Sequence, residues 1–142
     1  MKRILLTLVL AVTVGGTFTS CTTDYFEEYI ISTATYFAPP AWIEGRWAPE
    51  SNDTVFKYDF TADDFIVNTN NVLQSYNRLI NLSRVVDGDQ LFLTEEVATS
   101  LQYKFTITAA DGTIMTFDFL KIDENTFVDQ SDPANPVTYV RF

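Results

Sequence analysis

The side chains that could carry out chemistry in this sequence are mostly carboxylates. The 142-residue chain contains no histidine and one cysteine. This composition excludes Ser-His-Asp and Cys-His nucleophilic sites, histidine-ligated metals, thiolate zinc sites and internal disulfides. Three acidic clusters remain as candidates for acid–base chemistry or calcium binding: Asp63-Asp64, Glu95-Glu96 and Asp87-Gly88-Asp89.

These clusters favour turns and solvated charge over a reactive site. Adjacent side chains of a strand point to opposite faces, so neither Asp63-Asp64 nor Glu95-Glu96 converges on one site while extended. Asp87-Gly88-Asp89 lacks the rest of a calcium-binding loop. We therefore expect no enzymatic activity, no metal site and no cofactor.

The single cysteine, Cys21, follows an N-terminal export signal. Lys2 and Arg3 supply positive charge, residues 4–14 form an apolar run, and small residues lead into the cysteine. Eleven residues are too few to cross a bilayer, which takes roughly 20. An ordinary cleaved signal peptide would show the same three parts, but an unpaired thiol in an exported protein needs a purpose.

Residues 18–21 resemble the lipobox of bacterial lipoproteins, in which the cysteine becomes the acylated first residue. Phe18 departs from that pattern, because the family usually has an aliphatic residue there. The resemblance implies that residues 1–20 are a signal peptide and that Cys21 carries the lipid, since two or more acyl chains anchor a protein stably. Thr22, in place of aspartate, implies sorting to the outer membrane, on either of its faces.

Charge restricts the partners of the mature protein. Removal of residues 1–20 takes away Lys2 and Arg3 and no acidic residue, which changes the net charge from −10 to −12. Nucleic acid and anionic lipid surfaces attract basic proteins, so the expected membrane contact is the lipid on Cys21. Two tryptophans, seven tyrosines and twelve phenylalanines give the chain enough apolar surface to fold. No feature identifies a protein partner.

The mature chain divides into a tether and one domain. Pro39 and Pro40 cannot donate hydrogen bonds to a sheet, so they are expected to mark the boundary. We therefore assign residues 21–40 to a lipid-anchored tether and residues 41–142 to a folded domain.

Alternating apolar residues predict a first hairpin over residues 55–69. A four-residue loop pairs Phe60 with Phe65 and Tyr58 with Val67, which places all four side chains on one face. The next segment breaks this alternation: its apolar residues recur at helical spacing, and Asn70 or Asn71 could cap a helix. The stripe consists of Val72, Leu73, Tyr76, Leu79 and Ile80.

The clearest hairpin covers residues 102–122. A three-residue loop, Ala110-Asp111-Gly112, places Gly112 in the left-handed conformation that such loops require. A shift of one residue would destroy every cross-strand pair that this loop makes. The pairs are Ile107–Met115, Phe105–Phe117, Tyr103–Phe119, Lys104–Asp118 and Thr106–Thr116.

Together these elements predict an all-β fold. We expect a small antiparallel meander barrel of about seven to eight strands with one short helix near residues 71–80. The remaining strands are a hairpin formed by residues 82–86 and 90–94, and two closing strands at residues 126–129 and 137–142.

Gly45-Arg46-Trp47, at the start of the domain, resembles the Gly-x-Trp motif of the lipocalin (calycin) superfamily. In that family the tryptophan lies on the first strand and closes one barrel end, and a basic residue of the last strand packs across its ring. In this sequence, Arg141 is the basic residue on the predicted last strand. The resemblance covers about residues 42–142 and implies a lipocalin-like barrel; another small β-sandwich or barrel is the alternative.

The resemblance implies a lipid-anchored envelope protein that holds a small apolar or amphipathic ligand in the barrel mouth. The predicted registers place five candidate lining residues on inward faces: Tyr58, Phe60, Tyr103, Phe105 and Phe117. The alternative is an envelope structural or protein-interaction lipoprotein whose aromatic side chains simply fill the core. An enclosed cavity of roughly 300 Å³ or more would favour the first function.

Overall fold

The described residues fold into one curled sheet of antiparallel strands and a short helix. The computed structural model describes residues 34–51, 55–86 and 91–142. In chain order the elements are β1 (Gly45–Pro49), β2 (Phe56–Phe60), β3 (Phe65–Thr69), β4 (Val72–Ser75), α1 (Tyr76–Val86), β5 (Leu91–Ala98), β6 (Gln102–Ala109), β7 (Ile114–Lys121), β8 (Thr126–Asp129) and β9 (Val137–Arg141).

The first and last strands pair at the centre of this sheet. The strand order is β4-β3-β2-β1-β9-β8-β7-β6-β5, so every other neighbour in the sheet is also a neighbour in the chain. The sheet curls into a half-barrel with β4 and β5 at its edges, and α1 connects these two edge strands along the chain. The predicted all-β class with one short helix is confirmed.

Both predicted hairpin registers are confirmed. In the β2–β3 hairpin, Phe60 pairs with Phe65 and Tyr58 pairs with Val67. In the β6–β7 hairpin all five predicted pairs are present, from Ile107–Met115 to Tyr103–Phe119. Gly112 has a φ of +87°, as a three-residue loop requires.

The helix begins later than the sequence predicts, because residues 72–75 form strand β4. Thr69 pairs with Val72, so Asn70 and Asn71 form a two-residue hairpin loop. Their φ angles are 52° and 67°, the positive values that such a loop needs at both positions. Asparagine tolerates this conformation, so the two residues turn the chain and do not cap a helix. The described residues therefore contain nine strands instead of about seven to eight.

Helix α1 begins at Tyr76 because Ser75 caps it. The Ser75 hydroxyl accepts a hydrogen bond from the Arg78 amide at 3.0 Å, the geometry of an N-cap. Asp64, from the β2–β3 loop, accepts hydrogen bonds from the Ser75 hydroxyl at 2.6 Å and from the Asn77 amide at 2.9 Å. A carboxylate at a helix N-terminus is stabilising, so one half of the Asp63-Asp64 cluster has a structural role.

The hairpin predicted for residues 82–86 and 90–94 is wrong in its first half. Residues 82–86 continue α1, whereas residues 91–94 belong to β5. The proposed turn at residues 87–89 lies outside the described residues. The two closing strands are confirmed as β8 and β9, although β9 ends at Arg141.

The folded domain begins before the predicted boundary at residue 41. Phe37 is only 3% exposed and belongs to the hydrophobic core. The Tyr36 amide donates to the Asn77 side chain at 3.1 Å, and the Asn81 side chain donates to the Ala34 carbonyl at 3.0 Å. The polar side chains of α1 thus bind a segment that the sequence assigned to the tether.

The predicted signal peptide and Cys21 lie outside the described residues, and no described helix is long and apolar enough to span a membrane.

The β3–β4 loop provides a first test of the fold. Replacing Asn71 by valine is expected to lower the free energy of unfolding by about 1–2 kcal/mol, because a β-branched residue is strained at positive φ. Asn71→Gly is the matched control and should change it by less than about 0.5 kcal/mol. Urea unfolding followed by circular dichroism measures both variants. Equal stability of the two variants would contradict a positive-φ turn at this position.

Candidate functional site

Aromatic side chains fill the concave side of the half-barrel. Most of the buried apolar residues come from alternate positions of the strands, as a sheet with one inward face requires. They are Phe37, Ile43, Trp47, Tyr58, Phe60, Phe65, Val67, Ile80, Tyr103, Phe105, Ile107, Phe119, Phe127 and Tyr139.

The five predicted lining residues contact one another in series. Ring centroids are 6.2 Å apart for Tyr58 and Phe60, and 6.1 Å apart for Phe60 and Tyr103. The series continues at 5.3 Å from Tyr103 to Phe105 and at 4.9 Å from Phe105 to Phe117. These distances are typical of packed aromatic pairs. Four of the residues are buried and Phe117 is partly buried.

The hydroxyl of Tyr58 is bound at the edge of this interior. It donates to the Asp129 carboxylate at 2.7 Å, and that carboxylate also accepts from the Ser131 amide at 2.9 Å. Burial raises the pKa of Tyr58 far above its usual value, and the negative charge of Asp129 raises it further. Tyr58 therefore remains a neutral hydrogen-bond donor.

Tyr103 has an equivalent arrangement with Glu96. Its hydroxyl donates to the Glu96 carboxylate at 2.8 Å, and the same oxygen accepts from the Ala38 amide at 2.8 Å. Burial, followed by the hydrogen bond to Glu96, raises the pKa of Tyr103. Glu96 thus joins the interior to the chain segment that precedes the first strand.

The acidic clusters do not form a reactive pair among the described residues. Glu95 pairs with Thr106 on the outer side of the sheet, whereas Glu96 pairs with Phe105 and bonds Tyr103. Asp63 accepts from Thr61, and Asp64 caps α1. Within the described ranges, no group of three or more acidic, histidine or cysteine side chains could hold a metal ion. Every buried side-chain nitrogen or oxygen of those ranges has a hydrogen-bond partner.

Arg141 and Trp47 meet at one end of the half-barrel. The two residues are register partners of β9 and β1, and the guanidinium carbon lies 4.2 Å from the centroid of the indole ring. The guanidinium also donates to the carbonyl of Trp42 at 2.9 Å and to the carbonyl of Glu44. The indole nitrogen donates to the Ile43 carbonyl at 2.7 Å. This end is closed by stacking and by satisfied backbone carbonyls.

Gly45 is required beside this stack. Its φ is +120°, which side chains rarely adopt, and a Cβ at this position would collide with the Arg141 guanidinium. The structure therefore brings together all three residues that the sequence selected for the barrel end: Gly45, Trp47 and Arg141. The sequence could not identify the carbonyls of Trp42 and Glu44 as acceptors, because backbone groups carry no compositional signal.

Residues 34–43, which we name the strap, form a part of the site that the sequence missed. Phe37 packs edge-on against Phe105, with ring centroids 5.1 Å apart. The Trp42 indole donates to the Thr99 carbonyl at 2.8 Å, next to the β5–β6 connection. The aromatic residues Tyr36 and Phe37 were the available signal, because a solvated tether has no need for them.

Three surface grooves lined entirely by described residues lie outside the aromatic interior. Their volumes are about 680, 270 and 460 Å³. The largest is lined by residues of the β1 end and the β8–β9 loop, the second by Lys57 and the β3–β4 turn, and the third by Arg141 and Lys121. None of the five predicted lining residues lines any of these grooves.

The chain matches no protein-family model, no curated protein and no solved structure. The packing, hydrogen bonds and charges of the chain itself are therefore the evidence for its function.

The Arg141–Trp47 stack generates a test of the barrel end. Arg141→Lys is expected to lower the free energy of unfolding by about 1–3 kcal/mol, because an ammonium cannot stack on the ring and bond two carbonyls together. Arg46→Lys is the matched control: the Arg46 side chain is 66% exposed, so its change should stay within about 0.5 kcal/mol. Thermal and urea unfolding measure the stability of both variants. Equal losses of stability in Arg141→Lys and Arg46→Lys would refute a special role for Arg141.

The buried tyrosines generate a test at alkaline pH. The pKa of Tyr58 is higher in the folded state than in the unfolded state, where it is near 10. The contribution of Tyr58 to the free energy of unfolding is therefore complete below pH 10 and is lost as the pH rises further. Each such tyrosine should lower the free energy of unfolding by up to about 1.4 kcal/mol per pH unit above pH 10. Tyr58→Phe should cost about 1–2 kcal/mol at neutral pH and reduce this alkaline slope. Parallel pH profiles of the two proteins would count against the assignment.

Proposed function

We propose that the protein is a lipid-anchored lipoprotein of the bacterial cell envelope whose half-barrel is a solid scaffold that works by protein contact through its outer surface. The observation that carries this proposal is the continuous ring packing of the residues expected to line a ligand cavity. Centroid distances of 4.9–6.2 Å along that series leave the rings in direct contact. This packing favours the filled-core alternative over a ligand-binding interior, which stays a prediction.

The cost of admitting a ligand supports the same choice. A ligand site needs a cavity of roughly 300 Å³ or more and a few convergent polar groups. Two polar groups of the interior, the hydroxyls of Tyr58 and Tyr103, already donate hydrogen bonds to Asp129 and Glu96. Moving one buried phenylalanine into water costs about 1.5–3 kcal/mol, and each lost aromatic pair adds about 0.5–1.5 kcal/mol. The binding free energy of a small apolar ligand would have to exceed the sum of these costs.

The anchor belongs to the same proposal. The lipobox-like segment ending at Cys21 supports lipidation there, and Thr22 supports sorting to the outer membrane. Because α1 binds the strap from Ala34 onwards, the chain between Cys21 and Ala34 sets the reach of the domain. Thirteen residues span at most about 45 Å, so the domain stays near the membrane surface.

A lipocalin-like origin is also part of the proposal. Gly45 and Trp47 on the first strand, with Arg141 of the last strand stacked on the tryptophan, support it. The proposed scaffold keeps the barrel-end signature of that superfamily and fills the interior with aromatic side chains.

Mass spectrometry tests the filled interior. The Cys21→Ser protein, exported in its own host and purified without detergent, should have the mass of the empty polypeptide under native conditions. It should also leave the fluorescence of an apolar naphthalene dye unchanged. Phe105→Ala, which removes a ring at the centre of the packed series, is the positive control and should gain dye binding. A small molecule copurifying with the Cys21→Ser protein would overturn the proposal of a filled interior.

Metabolic labelling tests the anchor separately. Labelled palmitate should be incorporated into the full-length protein, and the labelled protein should fractionate with the outer membrane. Cys21→Ser should abolish the label, and Ser20→Ala, which keeps a small residue before the cysteine, should retain it. Label that persists in the Cys21→Ser protein would refute lipidation at this cysteine.

A further inference from the structure

The two edges of the sheet differ in their protection against pairing with another strand. Strand β5 has a bulge between Leu93 and Glu95, two consecutive carboxylates and helix α1 packed against it. Bulges, charges and covering helices are the features by which natural sheets prevent edge-to-edge association. Strand β5 is therefore a protected edge.

Strand β4 has neither a bulge nor a charged side chain. Its register with β3 runs without a bulge from Ile66–Ser75 to Thr69–Val72, and no described strand pairs on its other side. Residues 66–77 contain no charged side chain, in a chain with 28 charged residues. The absence of charge and proline leaves this edge open to pairing.

The side chains of β4 lack cover on both faces. Val72 is 68% exposed and Leu73 is 67% exposed. Consecutive residues of a strand point to opposite faces, so the edge exposes one large aliphatic side chain on each face. A single exposed aliphatic residue needs no explanation, but such a pair on an open edge is what an added strand would cover.

Charge favours a second copy of the chain as the occupant. The net charge of −10 makes two copies repel over most of their surface, and the uncharged β3–β4 hairpin is where they can approach closely. Antiparallel pairing of β4 with itself is self-complementary, because each residue meets a residue of the same edge. The protected β5 edge then ends the assembly at two copies.

We propose that strand β4 pairs antiparallel with β4 of a second copy, which joins two half-barrel sheets across a two-fold axis at Leu73. This inference rests on the proposed function and names the partner for the outer surface. A two-residue turn directs the backbone groups of Val72 to Thr69, so those of Leu73 face outward and bond their counterpart. The pair of leucines then forms the centre of the interface.

The short edge predicts a weak dimer. Four paired residues bury less than the roughly 1,200 Å² of a stable interface, so monomers dominate in dilute solution. Confinement to a membrane raises the effective concentration and favours the pair. The dimer is therefore tested in the envelope of intact cells with the full-length protein.

Disulfide trapping provides the test. Hydrogen-bonded antiparallel partners have Cα atoms about 5.5 Å apart, which permits a disulfide. Leu73→Cys should form a disulfide-linked dimer of the chain under mild oxidation, at least about ten-fold more than Ile114→Cys. Ile114 is the matched control because it is 65% exposed and lies on β7. Adding Gln74→Lys to Leu73→Cys should reduce the dimer several-fold, because a charge then occupies the edge.

Each alternative result has a defined meaning. Equal cross-linking at residues 73 and 114, a thiol at residue 73 that stays monomeric and reactive, or a disulfide to a different protein would each overturn the self-pairing. Sedimentation of the Cys21→Ser protein gives a second measurement, in which concentration-dependent dimers should disappear with Gln74→Lys. A monomeric protein that carries no ligand overturns this inference and leaves the proposed function standing. A copurifying ligand overturns the proposed function without affecting the cross-link.

Discussion

The pairing of the first strand with the last is the contact on which the sheet depends. Strands β1 and β9 are joined by a register that places Trp47 opposite Arg141, and the cation–π stack forms across this pair. Without it the meander would be two separate antiparallel sheets, β1–β4 and β5–β9. Closing this contact orders a long loop of chain, which costs conformational entropy. The stacked ring and the guanidinium hydrogen bonds offset that cost, and Gly45 leaves space for the guanidinium.

The curvature that this pairing allows brings aromatic rings from both halves of the sheet together. Tyr58 of β2 stacks on Tyr139 of β9, with centroids 4.6 Å apart, and Phe60 contacts Phe119 of β7 at 5.2 Å. The concave face is occupied by the protein's own side chains, and the gap between the edge strands is bridged along the chain by α1. The two edges differ in their own residues: β5 carries a bulge and two carboxylates, whereas β4 is short, uncharged and without a bulge. The packed concave face and the position of β4 at the end of the sheet both follow from this strand order.

The parts of the fold that local rules control could be predicted from the sequence. The β2–β3 and β6–β7 registers follow from strict alternation and from loops of defined length, because a one-residue shift exposes a whole face. The helix start could not be predicted in the same way. Val72 and Leu73 fit a helical stripe by spacing, but the positive φ angles of Asn70 and Asn71 direct them into a strand. The strap was missed because its partners, Asn77, Asn81 and Glu96, are distant in the chain.

The sequence by itself determined the types of chemistry available to this protein. With no histidine and one cysteine, it left carboxylates and aromatic rings, and the N-terminal pattern predicts a lipid on that cysteine. The selection of Gly45, Trp47 and Arg141 also came from sequence, through a resemblance. Only the tertiary structure shows how closely the inward aromatic rings pack against one another. That outcome depends on the curvature of the sheet and on rings such as Phe37, which reach the core from a distant segment. Packing density is a property of all these side chains together, and no local pattern encodes it.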